Sequence, residues 1–246
     1  MNKPRVKKRQ IRRTKHTSRQ EDRCILLFVR YPTPGEVKTR LSDKLGDAEA
    51  VSIYRNFIVD ILSTLQRLEL PFKIFFHPDS AREKLYEWLG TRYSYVPQCG
   101  QDLGERMKNA FSYAFRNNIR QAVIIGSDSP DLPADLVNRS FAALETYDAV
   151  IGPAGDGGYY LIGFSQTGFV PEAFKNVGWG SGSVFEQTCK ILKEHQRKAY
   201  LLPEWYDVDT LEDLKSLLVR NKNTAFRQSK TYAYLTSEKI GSDLHV

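Results

Sequence analysis

Two carboxylates follow directly on an aliphatic run near the middle of the chain. The segment "IIGSDSPDL", residues 124–132, carries Asp128 and Asp131, with Ser127 and Ser129 on either side of Asp128. Asp, Ser and Pro are common turn residues, so an ordinary turn after a buried strand would explain the composition. A carboxylate at the end of a strand also suits Mg²⁺ or Mn²⁺, which bind one or two protein carboxylates together with phosphate oxygens. The pattern therefore leaves two alternatives for Asp128, a turn or a metal ligand, whereas Asp131 is predicted to cap the next helix.

Basic residues in the first long loop would suit a phosphate group. The segment "RYPTPGEVKTRL" begins at Arg30 and contains Gly35, Lys38 and Arg40. Cations and free backbone N–H groups at a turn that leads to a helix form a common anion site. The segment is not a Walker A loop, because Val37 rather than glycine precedes the lysine. A surface loop with solvated charges is the alternative.

Two further loops are rich in glycine, which would let a nucleotide approach the backbone closely. "QCGQDLGERM" starts at Gln98 and places Gly104 inside a predicted helix, where glycine costs about 1 kcal/mol relative to alanine. This predicts close approach by another group, either a neighbouring strand or a nucleobase. "GPAGDGGYYLIG" contains Asp156, Gly157 and Gly158, more glycine than a hairpin turn needs.

The segment "YDVDTLEDL" begins at Tyr206 and precedes a helix. Asp209 or Thr210 would cap that helix, with acidic residues in its first turn. Capping does not explain the alternation of Asp207 and Asp209. The four histidines form no cluster in the sequence, which argues against a histidine triad or a zinc site.

The basic charge of the chain is confined to its first residues. The net charge is +7, but residues 1–20 hold nine Lys or Arg and no acidic residue, which leaves 27 basic against 29 acidic residues. Residues 1–21 are therefore predicted to be a disordered basic arm. A contact of this arm with RNA, anionic lipid or a partner is the alternative, and no specific nucleic-acid binding is expected of the rest.

The remaining composition predicts a cytoplasmic protein without a transmembrane segment. The longest purely apolar run, Ile25 to Val29, is far too short to cross a bilayer. Three widely spaced cysteines fit neither a zinc site nor a disulfide framework.

Apolar runs alternate with amphipathic segments over most of the chain. Fully apolar strands that alternate with helices predict a single α/β domain at 22–222, with a mostly parallel central sheet and helices on both faces. Residues 223–246 are predicted to be a C-terminal tail, either loose or docked as a strand on a neighbouring copy in a homo-oligomer. Ligands of such sheets bind at the carboxyl ends of the strands. The predicted strands are 24–29, 72–77, 93–97, 122–126, 148–153 and 159–164, and the predicted helices are 51–68, 79–89, 102–115, 133–146, 183–195 and 209–220.

Five segments taken in order resemble the GT-A-like nucleotide-diphospho-sugar transferase superfamily, in particular its bacterial DUF2064 or transferase 1 branch. They are "PGEVKTRL", "QCGQDLGERM", "GSDSPDLP", "DGGYYLIG" and "DVDTLEDL". "KTRL" is also similar to the phosphate loop of phospholactate guanylyltransferases. The resemblance implies a Rossmann-like fold of the GT-A and nucleotidyltransferase type. It places Asp128 where the superfamily has its metal-binding acidic motif. Pro130 replaces the second acidic residue of that motif, so Asp209 is the candidate for the second carboxylate.

The resemblance implies a transferase that uses a nucleotide, with Mg²⁺ or Mn²⁺ on the phosphates. Asp156, Lys38 and Arg40 are the candidate catalytic residues: the two cations would neutralise the leaving phosphate, and Asp156 would orient or deprotonate an acceptor hydroxyl. Tyr159 and Trp179 are candidate walls of the acceptor pocket. For Trp179, a role as a packing residue or as part of a lid is an equal alternative. The candidate nucleotide-binding residues are Arg30, Gly35, Lys38, Arg40, Gln98, Gly104, Gly157 and Gly158.

Three functions remain open at this point. Glycosyl transfer from an NDP-sugar to a small-molecule acceptor is favoured, because Pro32 and Pro34 lack N–H groups and the loop has one glycine, too few donors for a triphosphate. A guanylyltransferase-like nucleotidyltransferase that acts on a phosphorylated acceptor is the first alternative. A non-catalytic nucleotide-binding module is the second, because a fold does not fix a function.

Overall fold

The computed structural model describes residues 22–238 and 240–241. The predicted basic arm, residues 1–21, lies outside these residues. In the described part of the chain, no helix is both long enough and apolar enough to cross a membrane.

A seven-stranded sheet forms the centre of the molecule. Its order is β3-β2-β1-β4-β6-β5-β7, and only β6 runs antiparallel to its neighbours. This confirms the predicted mostly parallel sheet. The strands are β1 (Arg23–Arg30), β2 (Phe72–His77), β3 (Tyr95–Pro97), β4 (Gln121–Ile125), β5 (Ala149–Pro153), β6 (Tyr159–Ser165) and β7 (Ala199–Leu201). The sequence analysis did not predict β7, an edge strand of only three residues.

The side chains of β1 point alternately to the two covered faces of the sheet, which explains why its run from Ile25 to Val29 is apolar throughout. Ile25 and Leu27 pack into the cluster on one face of the sheet, whereas Leu26 and Phe28 pack into the cluster on the other face. Successive side chains of a strand point to opposite faces, so a strand covered on both faces must be apolar at every position.

Helices cover both faces of the sheet, as the sequence predicts. The described helices are α1 (Thr39–Leu45), α2 (Asp47–Arg67), α3 (Arg82–Leu89), α4 (Leu103–Arg116), α5 (Ala134–Ala143), α6 (Val184–Glu194), α7 (Leu211–Arg220) and α8 (Lys230–Leu235). Buried residues of α2, α5, α7 and α8 join one core cluster, and those of α4 and α6 join the other. The short helix α1 was not predicted as a separate element.

The end of the described chain differs from the predicted tail. Helix α8 packs on α2, and Leu235 and Ile240 are buried in the core. The buried carboxylate of Asp60 in α2 accepts hydrogen bonds from the backbone N–H groups of Lys230 (2.8 Å) and Thr231 (2.7 Å). The described residues beyond 222, namely 223–238 and 240–241, therefore contribute to the domain instead of forming a loose tail or a strand.

We expect Asp60→Ala to lower the free energy of unfolding by about 2 kcal/mol, because two N–H donors lose a charged acceptor in a buried site. Urea unfolding measures this. Asp43→Ala, which removes an exposed carboxylate of α1, is the matched control and should change stability by less than about 0.5 kcal/mol. Equal effects of the two variants would show that α8 does not depend on this contact.

The predicted cap of α5 is wrong. This helix follows Pro133 without a side-chain cap. Asp131 instead accepts hydrogen bonds from Arg220 (2.7 and 2.9 Å) and from Asn221 (2.6 Å) at the end of α7. The carboxylate of Asp131 joins the turn before α5 to the end of α7, and Asp128 is the acidic residue of this turn that lines a cavity.

Candidate active site

The direction in which the chain adds strands to the sheet reverses between β1 and β4. Strands β2 and β3 extend the sheet on the side of β1, and β6, β5 and β7 extend it on the side of β4. Ligands of open α/β sheets bind in the crevice at such a point, outside the carboxyl ends of the strands. A cavity of about 250 Å³ opens there. It brings together five residues that the sequence predicts for the site: Arg30, Lys38, Gln98, Asp128 and Asp209.

Lys38 lies at the centre of this cluster. It precedes α1 with a left-handed backbone (φ 48°), and its side chain is only 3% exposed. The ammonium group donates to Val208 O (2.7 Å) and Asp209 Oδ1 (2.8 Å), and Asp128 Oδ1 lies 2.5 Å away. These three acceptors use all three N–H bonds of the ammonium. Lys38 is thus committed to holding the two carboxylates together, which differs from the predicted direct contact with a phosphate.

The charge of Lys38 is secured by its carboxylate partners. Burial lowers the pKa of the ammonium, but the charges of Asp128 and Asp209 outweigh burial and raise that pKa above its ordinary value. Lys38 therefore stays cationic throughout the physiological pH range.

The turn after β4 is joined to the segment before α7. Val208 N donates to Asp128 O (2.9 Å), and Ser129 Oγ donates to Asp207 Oδ1 (2.6 Å). Burial, followed by the charge of Asp128, raises the pKa of Asp207 to about 7. The alternation of Asp207 and Asp209 now has an explanation: Asp207 holds the turn, while Asp209 reaches Lys38.

Asp128 and Asp209 could together hold a divalent cation that is also bound by a ligand. Their side chains are 46% and 41% exposed, and each gives one oxygen to Lys38. In residues 22–238 and 240–241, no three His, Cys, Asp or Glu side chains are grouped to hold an ion. The donor set therefore suits Mg²⁺ or Mn²⁺ shared between two carboxylates and the phosphates of a ligand, and not a cage made by the protein alone.

A second, larger cavity of about 710 Å³ shares Asp209 with the first. Arg40 and Asp156 line it, so Lys38 and Arg40, which were predicted to act together, line different cavities. Asp156 Oδ1 accepts a hydrogen bond from Gly158 N (2.8 Å), which orients the carboxylate on its turn. Tyr206 also lines this cavity, and the sequence analysis did not single it out.

Four glycines predicted to contact a ligand, Gly35, Gly104, Gly157 and Gly158, line neither cavity, whereas Gly155 of the same loop as Gly157 lines the larger one. A Cβ atom on Gly104 would lie 2.5 Å from Phe174 O and 2.5 Å from Trp179 Nε1. A Cβ atom on Gly157 would overlap the carbonyl group of Gly182. Gly35, with φ 74°, needs its left-handed conformation for the turn itself. The close approach inferred from the sequence is real, but the approaching groups belong to the protein.

The predicted aromatic walls of the acceptor pocket pack elsewhere. Tyr159 and Trp179 make an edge-to-face contact, with ring centroids 6.5 Å apart. Both rings pack against the core cluster that contains Met107 and Phe111 of α4. Neither side chain lines a described cavity. Of the two alternatives for Trp179, the structure therefore agrees with a packing residue.

Comparison with known proteins places the chain in a family. The crystal structure of a candidate nucleotide-diphospho-sugar transferase from Desulfovibrio desulfuricans G20 is 43% identical in sequence, with a TM-score of 0.86. The alignment covers 91% of this chain and 96% of that chain. A family described as "Uncharacterized protein conserved in bacteria (DUF2064)" matches residues 61–181. The chain belongs to the DUF2064 family. No protein with a curated description matches it.

More distant structures share the fold of this DUF2064 protein. Molybdopterin-guanine dinucleotide biosynthesis protein A from Archaeoglobus fulgidus is 12% identical, with a TM-score of 0.52, over 81% of this chain and 99% of that one. A 4-diphosphocytidyl-2C-methyl-D-erythritol synthase from Anaerococcus prevotii is 10% identical, with a TM-score of 0.54, over 82% of this chain and all of that one. These likenesses confirm the predicted fold of the GT-A and nucleotidyltransferase type.

Proposed function

We propose that this DUF2064 protein is a metal-assisted glycosyltransferase, which moves a sugar from a nucleoside diphosphate sugar to a hydroxyl group of a small acceptor. The observation that carries the proposal is the arrangement of two cavities that meet at Asp209. One contains Asp128 and Asp209, which Lys38 holds together, and the other contains Asp156. A donor and an acceptor bound in adjacent cavities meet at their shared wall. The name of the 43% identical relative supports the same class of reaction.

The smaller cavity suits the nucleoside end of the donor. Phe28 gives it apolar surface, and Gln98 also lines it. The amide nitrogen of Gln98 donates to Phe75 O (2.8 Å), which fixes the side chain and leaves the amide oxygen as an acceptor. A fixed polar group beside an apolar surface is a suitable site for a nucleobase.

Asp128 and Asp209 are the residues that would hold Mg²⁺ or Mn²⁺ on the donor diphosphate. Such an ion, when bound, stabilises the negative charge of the leaving group. Lys38 fixes the distance between the two carboxylates and offsets part of their mutual repulsion. A preorganised pair of this kind needs little reorganisation when the ligand binds.

Asp156 would orient the acceptor hydroxyl and accept its proton. In the transfer, the hydroxyl oxygen forms a bond to the anomeric carbon of the sugar. The bond from that carbon to the diphosphate oxygen breaks, and its electron pair leaves with the nucleoside diphosphate. The hydroxyl proton goes to the carboxylate of Asp156, whose other oxygen is held by Gly158 N–H.

The test has a binding stage and a product stage. We expect one nucleoside diphosphate or its sugar derivative, screened with Mn²⁺, to raise the melting temperature; a ligand at 100 times its Kd stabilises by about 2.7 kcal/mol. Release of a nucleoside diphosphate that depends on an acceptor then supports sugar transfer. Release of pyrophosphate from an NTP would support nucleotidyl transfer instead. Binding without turnover over a broad acceptor panel would indicate a non-catalytic nucleotide-binding module.

A further inference from the structure

The larger cavity contains charged groups that the proposed donor site does not use. Its lining contains the acidic residues Asp156, Asp207, Asp209 and Asp213 and the basic residues Arg40, Lys215 and Arg220. Most of the cavity's charged groups already have partners within the protein. Arg220 is paired with Asp131, and the carboxylate of Asp213 accepts hydrogen bonds from Asp209 N and Thr210.

Two cations remain without such partners in the part of the chain that the structure describes. Arg40 comes from α1 and Lys215 from α7, and neither side chain makes a hydrogen bond or an ion pair there. Lys215 is also half-buried. Burying a cation without a counter-charge is unfavourable, so the half-buried, unpaired Lys215, together with the exposed Arg40 that lines the same cavity, favours an anionic ligand.

We propose that the larger cavity binds an acceptor that carries an anionic group, a phosphate or a carboxylate, and that Arg40 and Lys215 bind this anion. This inference rests on the proposed function, because only a transferase has an acceptor. With the anion held at these cations, a hydroxyl group of the same molecule can reach Asp156, which lines the same cavity. Tyr206, which is 53% exposed, provides apolar surface for the carbon skeleton.

The size of the cavity agrees with an acceptor of this kind. Its volume of about 710 Å³ lies within the range of small-molecule sites, about 300 to 1,000 Å³. A charge-assisted hydrogen bond is about twice as strong as a neutral one. The anion would therefore supply much of the affinity and fix the position of the hydroxyl group.

The test is calorimetric titration of the full chain with glucose 6-phosphate, glucuronate and glucose as probes. We expect the phosphate or the carboxylate probe to bind at least about tenfold more tightly than glucose, and Lys215→Gln and Arg40→Gln each to weaken it by about tenfold. Lys222→Gln, which removes an exposed lysine just beyond α7 and outside the cavity, should leave binding unchanged. The better of the two anionic probes identifies the anion.

Nucleotide binding, measured on the same samples, separates the two proposals. Equal affinity for glucose and both anionic probes, or unchanged affinity in Lys215→Gln, would overturn the anion site even if nucleotides bind. A wild-type protein that binds no nucleotide but binds glucose 6-phosphate through Lys215 would keep the anion site and overturn its role as an acceptor site.

Discussion

Asp128→Asn is expected to remove the metal-dependent part of nucleotide affinity and to leave the fold intact. The side chain is 46% exposed and the variant keeps an oxygen that can accept from Lys38, so the turn retains its contacts. In the variant, a cation that is shared between two carboxylates and a ligand loses one of its two carboxylate ligands. The loss should be at least about 10- to 100-fold, the effect that even outer-shell partners of metal ions produce.

Calorimetric titration of the nucleotide with and without Mn²⁺ measures this effect. Asp135→Asn, at an exposed position of α5, is the matched control and should retain the full response to Mn²⁺. If Asp128→Asn responds to Mn²⁺ as the wild type does, Asp128 belongs to an ordinary turn and the metal assignment is wrong.

Lys38→Met is expected to destabilise the protein and to weaken nucleotide binding together. The variant keeps the length of the side chain but leaves Asp128, Asp209 and Val208 O without their shared donor. Removal of one partner from a fully buried ion pair costs about 3 to 5 kcal/mol. The two carboxylates here are partly exposed and can regain water, so we expect a loss of about 2 kcal/mol, or about 4 to 8 °C in melting temperature.

The expected pH dependence of this loss follows from the raised pKa of Lys38. A group with a raised folded-state pKa contributes stability fully below its unfolded pKa, and the contribution disappears only as the pH rises through the folded value. The part of the difference that comes from titration of the ammonium should therefore be constant from pH 6 to pH 9. Any change within that range reports Asp207, whose pKa is raised by burial to about 7 against the lowering effect of the Lys38 charge.

Chemical denaturation over that range is the measurement for Lys38→Met. Lys190→Met, which breaks an exposed ion pair with Glu194, is the control and should stay within about 0.5 kcal/mol of the wild type. A stability equal to that of the wild type would show that the carboxylate pair does not need the ammonium.

Local pattern determined the class of fold and the place of the site. The continuous apolar run of β1 can be buried only if helices cover both faces of the sheet, so the sequence predicts a parallel α/β domain. Asp128 had to lie at the carboxyl end of β4, because it follows that strand by three residues. Thr210, one of the two predicted caps, caps α7, since a cap and the N–H group that it binds are three residues apart.

Tertiary structure decided how the predicted residues are used. Lys38 is 171 residues from Asp209 along the chain, and Asp131 is 89 residues from Arg220. No spacing rule connects such pairs, because the packing of whole helices and strands sets their distances. The sequence therefore predicted a basic residue for a phosphate, whereas the fold buries that residue between two carboxylates and leaves Lys215 on a cavity wall. Gly104 likewise showed that something approaches closely, but only the fold could show that it is the indole of Trp179.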